Sequence, residues 1–197
     1  MRVGRLWPRA SFDFVPRALR RFIAGGIYHV TSRGNRKEPI FLSDGDRILF
    51  LELVKEVRAH RRWSVHGYCL MQNHYHLLLE TPEPDLSDGM QAINSEYAQW
   101  FNRRYGFVGH VFQGRFHAVL VESDWHLLEL TRYIAMNPVR AGLCLSPLEW
   151  RWSSFYDVMV GTRQFSVSAE KVLAFFGADK DRARQAFGRF VEDARTD

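Results

Sequence analysis

The sequence predicts an α+β fold of the ferredoxin-like type, with an antiparallel sheet, covering helices and a short helical extension at the C-terminus. Strand and helix patterns follow one another in the order β-α-β-β-α-β-α, which matches a split βαβ sheet with one added helix. Apolar residues make up 46% of the chain and charged residues 25%. This is a globular composition. The 197 residues suffice for one well-buried domain plus an appendage.

Residue periodicity and turn residues set the bounds of the predicted elements. The predicted elements are strand 26–32, a helix from the 43–46 cap to about 60, strands 63–71 and 74–80, helix 86–105, strand 115–122, a helix from 124 to about 137, and short helices near 169–176 and 180–193.

The first four elements rest on composition and turns. β-branched and aromatic residues favour the first strand, and Gly34 and Asn35 end it. The polar segment 43–46 contains residues that cap a helix, and the apolar residues that follow recur at helical spacing. Gln72 and Asn73 form a tight polar connection, so the next two strands are predicted to pair as an antiparallel hairpin.

The later elements are separated by helix-breaking residues. Pro84 follows the third strand, and Gly106 separates the second helix from the fourth strand. Ser123 is the predicted N-cap of the third helix. Because proline lacks a backbone N–H, Pro138 predicts that this helix ends near Asn137.

Three segments are predicted: a basic arm over 1–22, the main domain over 23–161 and accessory helices over 162–197. The arm is either a solvated tail or a segment that lies on phosphates, and both interpretations stay open. The whole chain has a net charge of +5 and a pI near 9.5. This surplus of positive charge suggests a polyanionic partner. The arm contains one acidic residue, Asp13, and six arginines: Arg2, Arg5, Arg9, Arg17, Arg20 and Arg21.

Several classes of protein are excluded. No run approaches the roughly 20 apolar residues that span a bilayer, so no membrane partner is expected. Cys69 and Cys144 are too few for a disulfide scaffold or a cysteine-rich zinc site.

Two short patterns point to chemistry. Side chains alternate across a strand, so His74 and His76 share one face of the third strand and can share a metal ion. Tyr133 and Asn137 are four residues apart on the third helix and therefore lie on one stripe. Alone, a His-x-His pair is weak evidence for a metal site, and a tyrosine on a helix is usually a packing residue of the core. Together they supply the nucleophile and the cation ligands that phosphodiester cleavage by a side-chain hydroxyl needs.

Three motifs resemble the REP-associated tyrosine transposases, members of the HUH (histidine-hydrophobic-histidine) superfamily of single-strand DNA nucleases. These motifs are GGIYHVTSRGN at 25–35, MQNHYH at 71–76 and RYIAMNPVRAG at 132–142. They occur in the order and approximate spacing of that family, and the resemblance covers about residues 17–161.

The resemblance implies a transposase that cuts and rejoins single-stranded DNA. His74 and His76 would be metal ligands, Asn137 the third ligand and Tyr133 the nucleophile of a 5′-phosphotyrosine intermediate. The family implies Mg²⁺ or Mn²⁺ as cofactor and hairpin-forming repeat DNA with a short adjacent guide sequence as target. It also implies a bacterial cytoplasmic protein, associated with the nucleoid when bound to DNA. Both a homodimer and a monomer stay open.

Polar and basic residues near two strand ends are candidates for DNA binding. Each one alone is most simply a solvated surface residue, but as a group they can hold backbone phosphates. The candidates are Arg33, Asn35, Arg36 and Lys37 after the first strand, and Arg115 and His117 at the predicted start of the fourth.

Two other functions compete with this interpretation. A non-catalytic nucleic-acid-binding protein on the same fold would stack bases on sheet aromatics, with Tyr28 and Tyr68 as candidates. A metal-dependent hydrolase would use water as the nucleophile in place of Tyr133.

Overall fold

The computed structural model describes residues 22–162, 165 and 167–193, so the predicted arm falls outside the described residues except for its last residue. The α+β fold and the order β-α-β-β-α-β-α are confirmed, followed by the C-terminal helices. The elements are β1 Gly26–Arg33, α1 Asp44–Arg61, β2 Ser64–Leu70, β3 His74–Thr81, α2 Leu86–Tyr105, β4 His117–Leu120, α3 Asp124–Arg140, α4 Ser154–Val160, α5 Glu170–Leu173 and α6 Lys180–Glu192.

The four strands form an antiparallel sheet in the order β2-β3-β1-β4, with β1 and β3 at the centre. The predicted hairpin of β2 and β3 is confirmed, and the Met71 N–H donates to the His74 carbonyl oxygen at 2.9 Å. In the register of β1 and β3, Thr31 pairs with His76 and His29 pairs with Leu78. Because paired residues of an antiparallel sheet point to the same face, these four side chains share one face.

The opposite face of the sheet carries the main core under α1 and α2. Val30 and Leu77 are fully buried there with Phe50 of α1 and Met90 of α2. The predicted cap of α1 is confirmed by a reciprocal pair of hydrogen bonds: the Ser43 hydroxyl accepts from the N–H of residue 46, whose carboxylate accepts from the Ser43 N–H at 2.7 Å. Helices α1 and α2 therefore cover one face of the sheet, and α3 packs on the other face.

Helix α3 lies between the sheet and the C-terminal helices. On its sheet side, Leu127 and Ile134 pack with Leu78. On its other side, a second cluster joins α3 to α4, α5 and α6, formed by Ala135, Met136, Phe155, Val172, Phe187 and Val191. None of the described helices is long and apolar enough to cross a membrane.

The bounds of two predicted elements were wrong, and one helix was not predicted. Helix α3 continues through Pro138 to Arg140: Pro138 removes only its own bond to the carbonyl of residue 134, and the Ala141 N–H still donates to the Asn137 carbonyl oxygen at 2.9 Å. Strand β4 begins at His117, so Arg115 precedes it. Helix α4 was not predicted, because its seven residues are too few to show a clear helical repeat.

Candidate active site

The two histidines of β3 lie on the face of the sheet that α3 crosses. Their ring centroids are 5.0 Å apart at an interplanar angle of 78°. The His76 side chain is buried, and its Nε2 atom has no hydrogen-bond partner among the described residues. A buried polar atom without a partner costs free energy unless a ligand satisfies it. The Nε2 atom of His76 is therefore a fitting donor for a metal ion.

Asn73 orients the first of these histidines. The Nδ1 atom of His74 lies 2.7 Å from the Asn73 side-chain oxygen. Only the imidazole can donate in this pair. The Asn73 amide nitrogen in turn donates to the Lys37 carbonyl oxygen at 2.9 Å, which holds the amide in place. A neutral His74 that donates from Nδ1 leaves its Nε2 lone pair free for a ligand.

Sequence reasoning missed a third histidine, His29 of β1. Its Nε2 atom is hydrogen-bonded to Nδ1 of His76 at 2.9 Å, and the two rings stack with centroids 5.1 Å apart. His29 stands inside the 25–35 motif, but its partner depends on which strands pair. Strand alternation alone indicates only that His29 and Thr31 share a face.

Tyr133 of α3 converges with this histidine cluster, as the sequence pattern predicts. Its ring centroid is 5.7 Å from that of His76 and 6.1 Å from that of His29. Tyr133 as a whole is 39% exposed, so the residue is open to a substrate. The Arg140 guanidinium, another residue that the sequence did not single out, lies 5.4 Å from the Tyr133 ring centroid. The site therefore combines a phenol, a nearby cation and neutral imidazoles.

Asn137 lies one turn beyond Tyr133, as expected, but its side chain makes its hydrogen bond within α3 and not to the histidines. Its Nδ2 atom donates to the Tyr133 carbonyl oxygen at 3.0 Å, a bond within α3. This bond uses the amide nitrogen and leaves Oδ1 available as an oxygen ligand. Among the described residues, no three His, Cys, Asp or Glu side chains form a metal-binding group.

The electrostatics of the cluster favour neutral imidazoles. Burial, followed by repulsion from His117 and His126, lowers the pKa of His29 from 6.5 to about 4. Burial and then the Arg33 charge lower the pKa of His74 to about 4. The pKa of His76 falls well below its ordinary value for the same first reason, burial. Neutral imidazoles keep the lone pairs that a metal ion needs.

These pKa shifts give an expected pH dependence of stability. The folded-state pKa values of His29 and His74, about 4, lie below the ordinary 6.5. The unfolded chain therefore binds more protons, and stability is lost as the pH falls from about 6.5 toward 4. In EDTA we expect the melting temperature to fall by at least about 3 °C between about pH 7 and pH 5, the change that about 1 kcal/mol causes. The double variant H29Q/H74Q should flatten this dependence; equal slopes would contradict it.

The candidate DNA-binding residues lie at the end of the sheet where β1 ends and β4 begins. Arg33 pairs with His74, and His117 pairs with Thr31 at the start of β4. Arg36 and Lys37 are exposed in a short 3₁₀ turn and have left-handed φ angles of 53° and 64°.

A groove lies at the same end of the sheet, on the side that α2 covers. Its volume is about 750 Å³, and it runs between α2 and the segment before β4. Asn35 and Arg115 are among its lining residues, none of which is acidic. All six candidates therefore lie near the ends of β1 or β4.

The two tyrosines of the competing base-stacking model are buried. Tyr28 is 3% exposed and Tyr68 is fully buried in the core on the helix-covered face. The Tyr68 hydroxyl donates to the Asp157 carboxylate at 2.6 Å. The expectation that these rings could stack on bases is therefore wrong, because sheet alternation directs both into the interior.

Comparisons with known proteins agree with these observations. A putative REP-associated tyrosine transposase of Haemophilus influenzae is 27% identical over 159 residues, covering 70% of this chain and 84% of the relative. A REP-associated tyrosine transposase of Escherichia coli K12 is 26% identical over 146 residues, covering 72% of this chain and 84% of the relative.

A solved structure of a REP-associated tyrosine transposase bound to a REP hairpin has the same fold. Its TM-score is 0.62 at 20% identity, over 76% of this chain and 88% of that one. The family model described as "Transposase IS200 like" matches residues 23–137, which is more than half of the 197 residues. The chain therefore belongs to the IS200-like transposase family, whose members are enzymes, and the resemblance found in its sequence is confirmed.

Proposed function

We propose that this transposase is a metal-dependent single-strand DNA endonuclease and strand transferase that uses Tyr133 as its nucleophile. One observation carries the proposal: the exposed Tyr133 ring lies 5.7 Å from the ring of His76, whose buried Nε2 atom lacks a partner among the described residues. The candidate nucleophile and a candidate ligand for a cation are thus neighbours, which supports phosphoryl transfer by a side-chain hydroxyl.

The proposed reaction is a pair of transesterifications. The Tyr133 hydroxyl oxygen bonds to phosphorus, the bond from phosphorus to the 3′-oxygen breaks, and the phenol proton ends on that oxygen. The products are a 5′-phosphotyrosine and a free 3′-OH. A 3′-OH then attacks the phosphotyrosine, which restores a phosphodiester and releases the tyrosine with its proton. Because the bond energy is kept in the covalent intermediate, no nucleotide cofactor is needed.

Two imidazoles and one amide would hold the metal ion. Nε2 of His76 has no hydrogen-bond partner within the described chain, the bond of His74 to Asn73 uses Nδ1 and leaves Nε2 as its ligand atom, and Oδ1 of Asn137 is the candidate third ligand. A bound Mg²⁺ or Mn²⁺ would polarise the phosphoryl oxygens and stabilise the developing charge. Imidazole often favours softer metals, but phosphate oxygens and water would complete the shell of a hard ion.

We propose hairpin-forming repeat DNA as the substrate. The basic turn at residues 36 and 37 adjoins the cluster through Asn73, which hydrogen-bonds both the Lys37 carbonyl oxygen and His74. The groove with Arg115 lies at the same end of the sheet, on the side of α2. This arrangement suits a strand that leaves the cut site along phosphate contacts. The solved relative was captured on a REP hairpin, which supports the same class of target here.

The test is incubation with end-labelled hairpin DNA and Mg²⁺ or Mn²⁺, followed by denaturing electrophoresis. The proposal expects a protein–DNA adduct that resists denaturation and carries its link on Tyr133, located by peptide mapping. Nicking without an adduct would indicate a water-using hydrolase. Retention of DNA without cleavage would indicate a binding protein.

The basic turn gives an expected salt dependence. Each phosphate contact to single-stranded DNA contributes about 0.7 to the slope of log K against log salt concentration. The double variant R36Q/K37Q should therefore reduce this slope by about 1.4 in a filter-binding titration. Lys55→Gln is the control, because Lys55 is exposed on α1 and pairs with Glu52 at 2.9 Å. Equal slopes for the wild-type protein and the double variant would exclude these two contacts.

A further inference from the structure

We infer that His29 is a positioning residue that accepts a hydrogen bond from Nδ1–H of His76 and thereby keeps the Nε2 lone pair of His76 free for the metal ion. The inference rests on the proposed function for the identity of the ligand atom. Its structural part, the tautomer of His76, holds in the metal-free protein and is tested there.

The bond between the two rings allows two arrangements. His29 Nε2 and His76 Nδ1 are 2.9 Å apart. One of them must therefore donate when both rings are neutral. If His29 donated, the proton of His76 would sit on its Nε2 atom, a buried position with no acceptor among the described residues. If His76 donates, the same atom carries a lone pair that a cation can satisfy, so this second arrangement is the one that suits a ligand.

His74, the neighbouring candidate ligand, is oriented in the same way. The Nδ1 atom of His74 donates to the Asn73 side-chain oxygen at 2.7 Å, which leaves Nε2 of His74 free. In that pair the direction of the bond is unambiguous, because an amide oxygen only accepts. Both candidate ligands therefore use Nδ1 for an outer partner and present Nε2, which is how metal-bound histidines are commonly oriented.

The sheet holds His29 in position. His29 lies on β1, one of the two central strands, and Thr31 on the same face pairs directly with His76. The two rings are nearly parallel, with an interplanar angle of 14°. A group carried by a central strand is placed more accurately than one on a loop, which suits a residue that acts by orienting another.

Two substitutions separate orientation from packing. In His29→Gln, the Oε1 atom stands the same number of bonds from Cα as Nε2 of histidine and keeps an acceptor. In His29→Leu, the acceptor is lost and the side chain stays bulky and apolar. Long-range ¹H–¹⁵N spectra of histidine-labelled, metal-free protein report which nitrogen of His76 is protonated. We expect Nδ1–H in the wild-type protein and in H29Q, and a shift toward Nε2–H in H29L.

Calorimetric titration with Mn²⁺ gives the second readout. We expect H29L to bind Mn²⁺ about 10- to 100-fold more weakly than wild type, the usual cost of losing an outer partner of a ligand, and H29Q to recover most of that loss. His66→Leu is the matched control, because it also removes a buried histidine, hydrogen-bonded to Glu80 at 2.7 Å. Glu80 lies four residues along β3 from His76, beyond contact with the cluster because each residue of a strand advances the chain by about 3.4 Å.

Distinct outcomes would overturn the inference. An Nε2–H tautomer of His76 in the wild-type protein, or equal Mn²⁺ affinities for H29L, H29Q and H66L, would exclude the role of His29. Failure of the wild-type protein to form a DNA adduct, with the Nδ1–H tautomer intact, would instead reject the proposed function and leave the hydrogen-bond assignment standing.

Discussion

Replacement of Tyr133 by phenylalanine is expected to abolish the covalent protein–DNA adduct and to reduce cleavage by about 10³-fold or more, since removal of an enzymatic nucleophile costs up to about 10⁶. The change deletes one oxygen from a residue that is 39% exposed, so neither the fold nor the ring contacts with His76 should change. Adduct yield on denaturing gels and rates of cleavage of labelled hairpin DNA provide the measurement.

DNA affinity separates this effect from unfolding. Y133F should bind hairpin DNA within about twofold of wild type, because the phosphate contacts are made elsewhere. Tyr156→Phe is the matched control, since Tyr156 is a partly buried tyrosine on α4, outside the histidine cluster. If Y133F cleaved at the wild-type rate without an adduct, water would be the nucleophile and the covalent mechanism would be wrong.

Replacement of His76 by alanine is expected to weaken Mn²⁺ binding by more than about 100-fold, beyond the range of about 10- to 100-fold that loss of an outer partner causes. Cleavage should fall with it at fixed metal concentration. The change removes the buried Nε2 donor and also the hydrogen-bond partner of His29 at 2.9 Å. Calorimetry with Mn²⁺ and the cleavage assay measure the two effects.

The stability of the variant is checked by thermal unfolding, because His76 is buried. His60→Ala is the control: His60 is exposed on α1, the helix that covers the opposite face of the sheet. A folded H76A protein with wild-type Mn²⁺ affinity would show that His76 is no ligand. Excess metal that restores cleavage in H76A would support weakened binding as the cause of its defect.

Much of the site follows from short-range patterns. Alternation on β3 places His74 and His76 on one face, and the helical repeat of α3 places Tyr133 and Asn137 on one stripe. Capping residues predicted the start of α1, and the reciprocal bonds at Ser43 confirm it. These relations depend on residues a few positions apart, which is why sequence alone reveals them.

Longer-range contacts escaped prediction for a common reason. His29 meets His76 only because β1 and β3 are neighbours in the sheet, although 47 positions separate them in sequence. The extension of α3 past Pro138 depends on packing against the C-terminal helices and on the bond that Asn137 accepts from residue 141. The local signal of a proline cannot include these contacts.

From the sequence alone we predicted the order β-α-β-β-α-β-α, the candidate residues for phosphodiester chemistry and the resemblance to the transposase family. The packing of α1 and α2 shows which face of the sheet is buried, and hence that Tyr28 and Tyr68 lie in the core. The tertiary structure also brought Tyr133 beside His76 and lowered the pKa of the clustered histidines through burial. Strand pairing and burial depend on residues far apart in the sequence, whereas periodicity and capping depend on near neighbours, so only the latter can be read from the sequence.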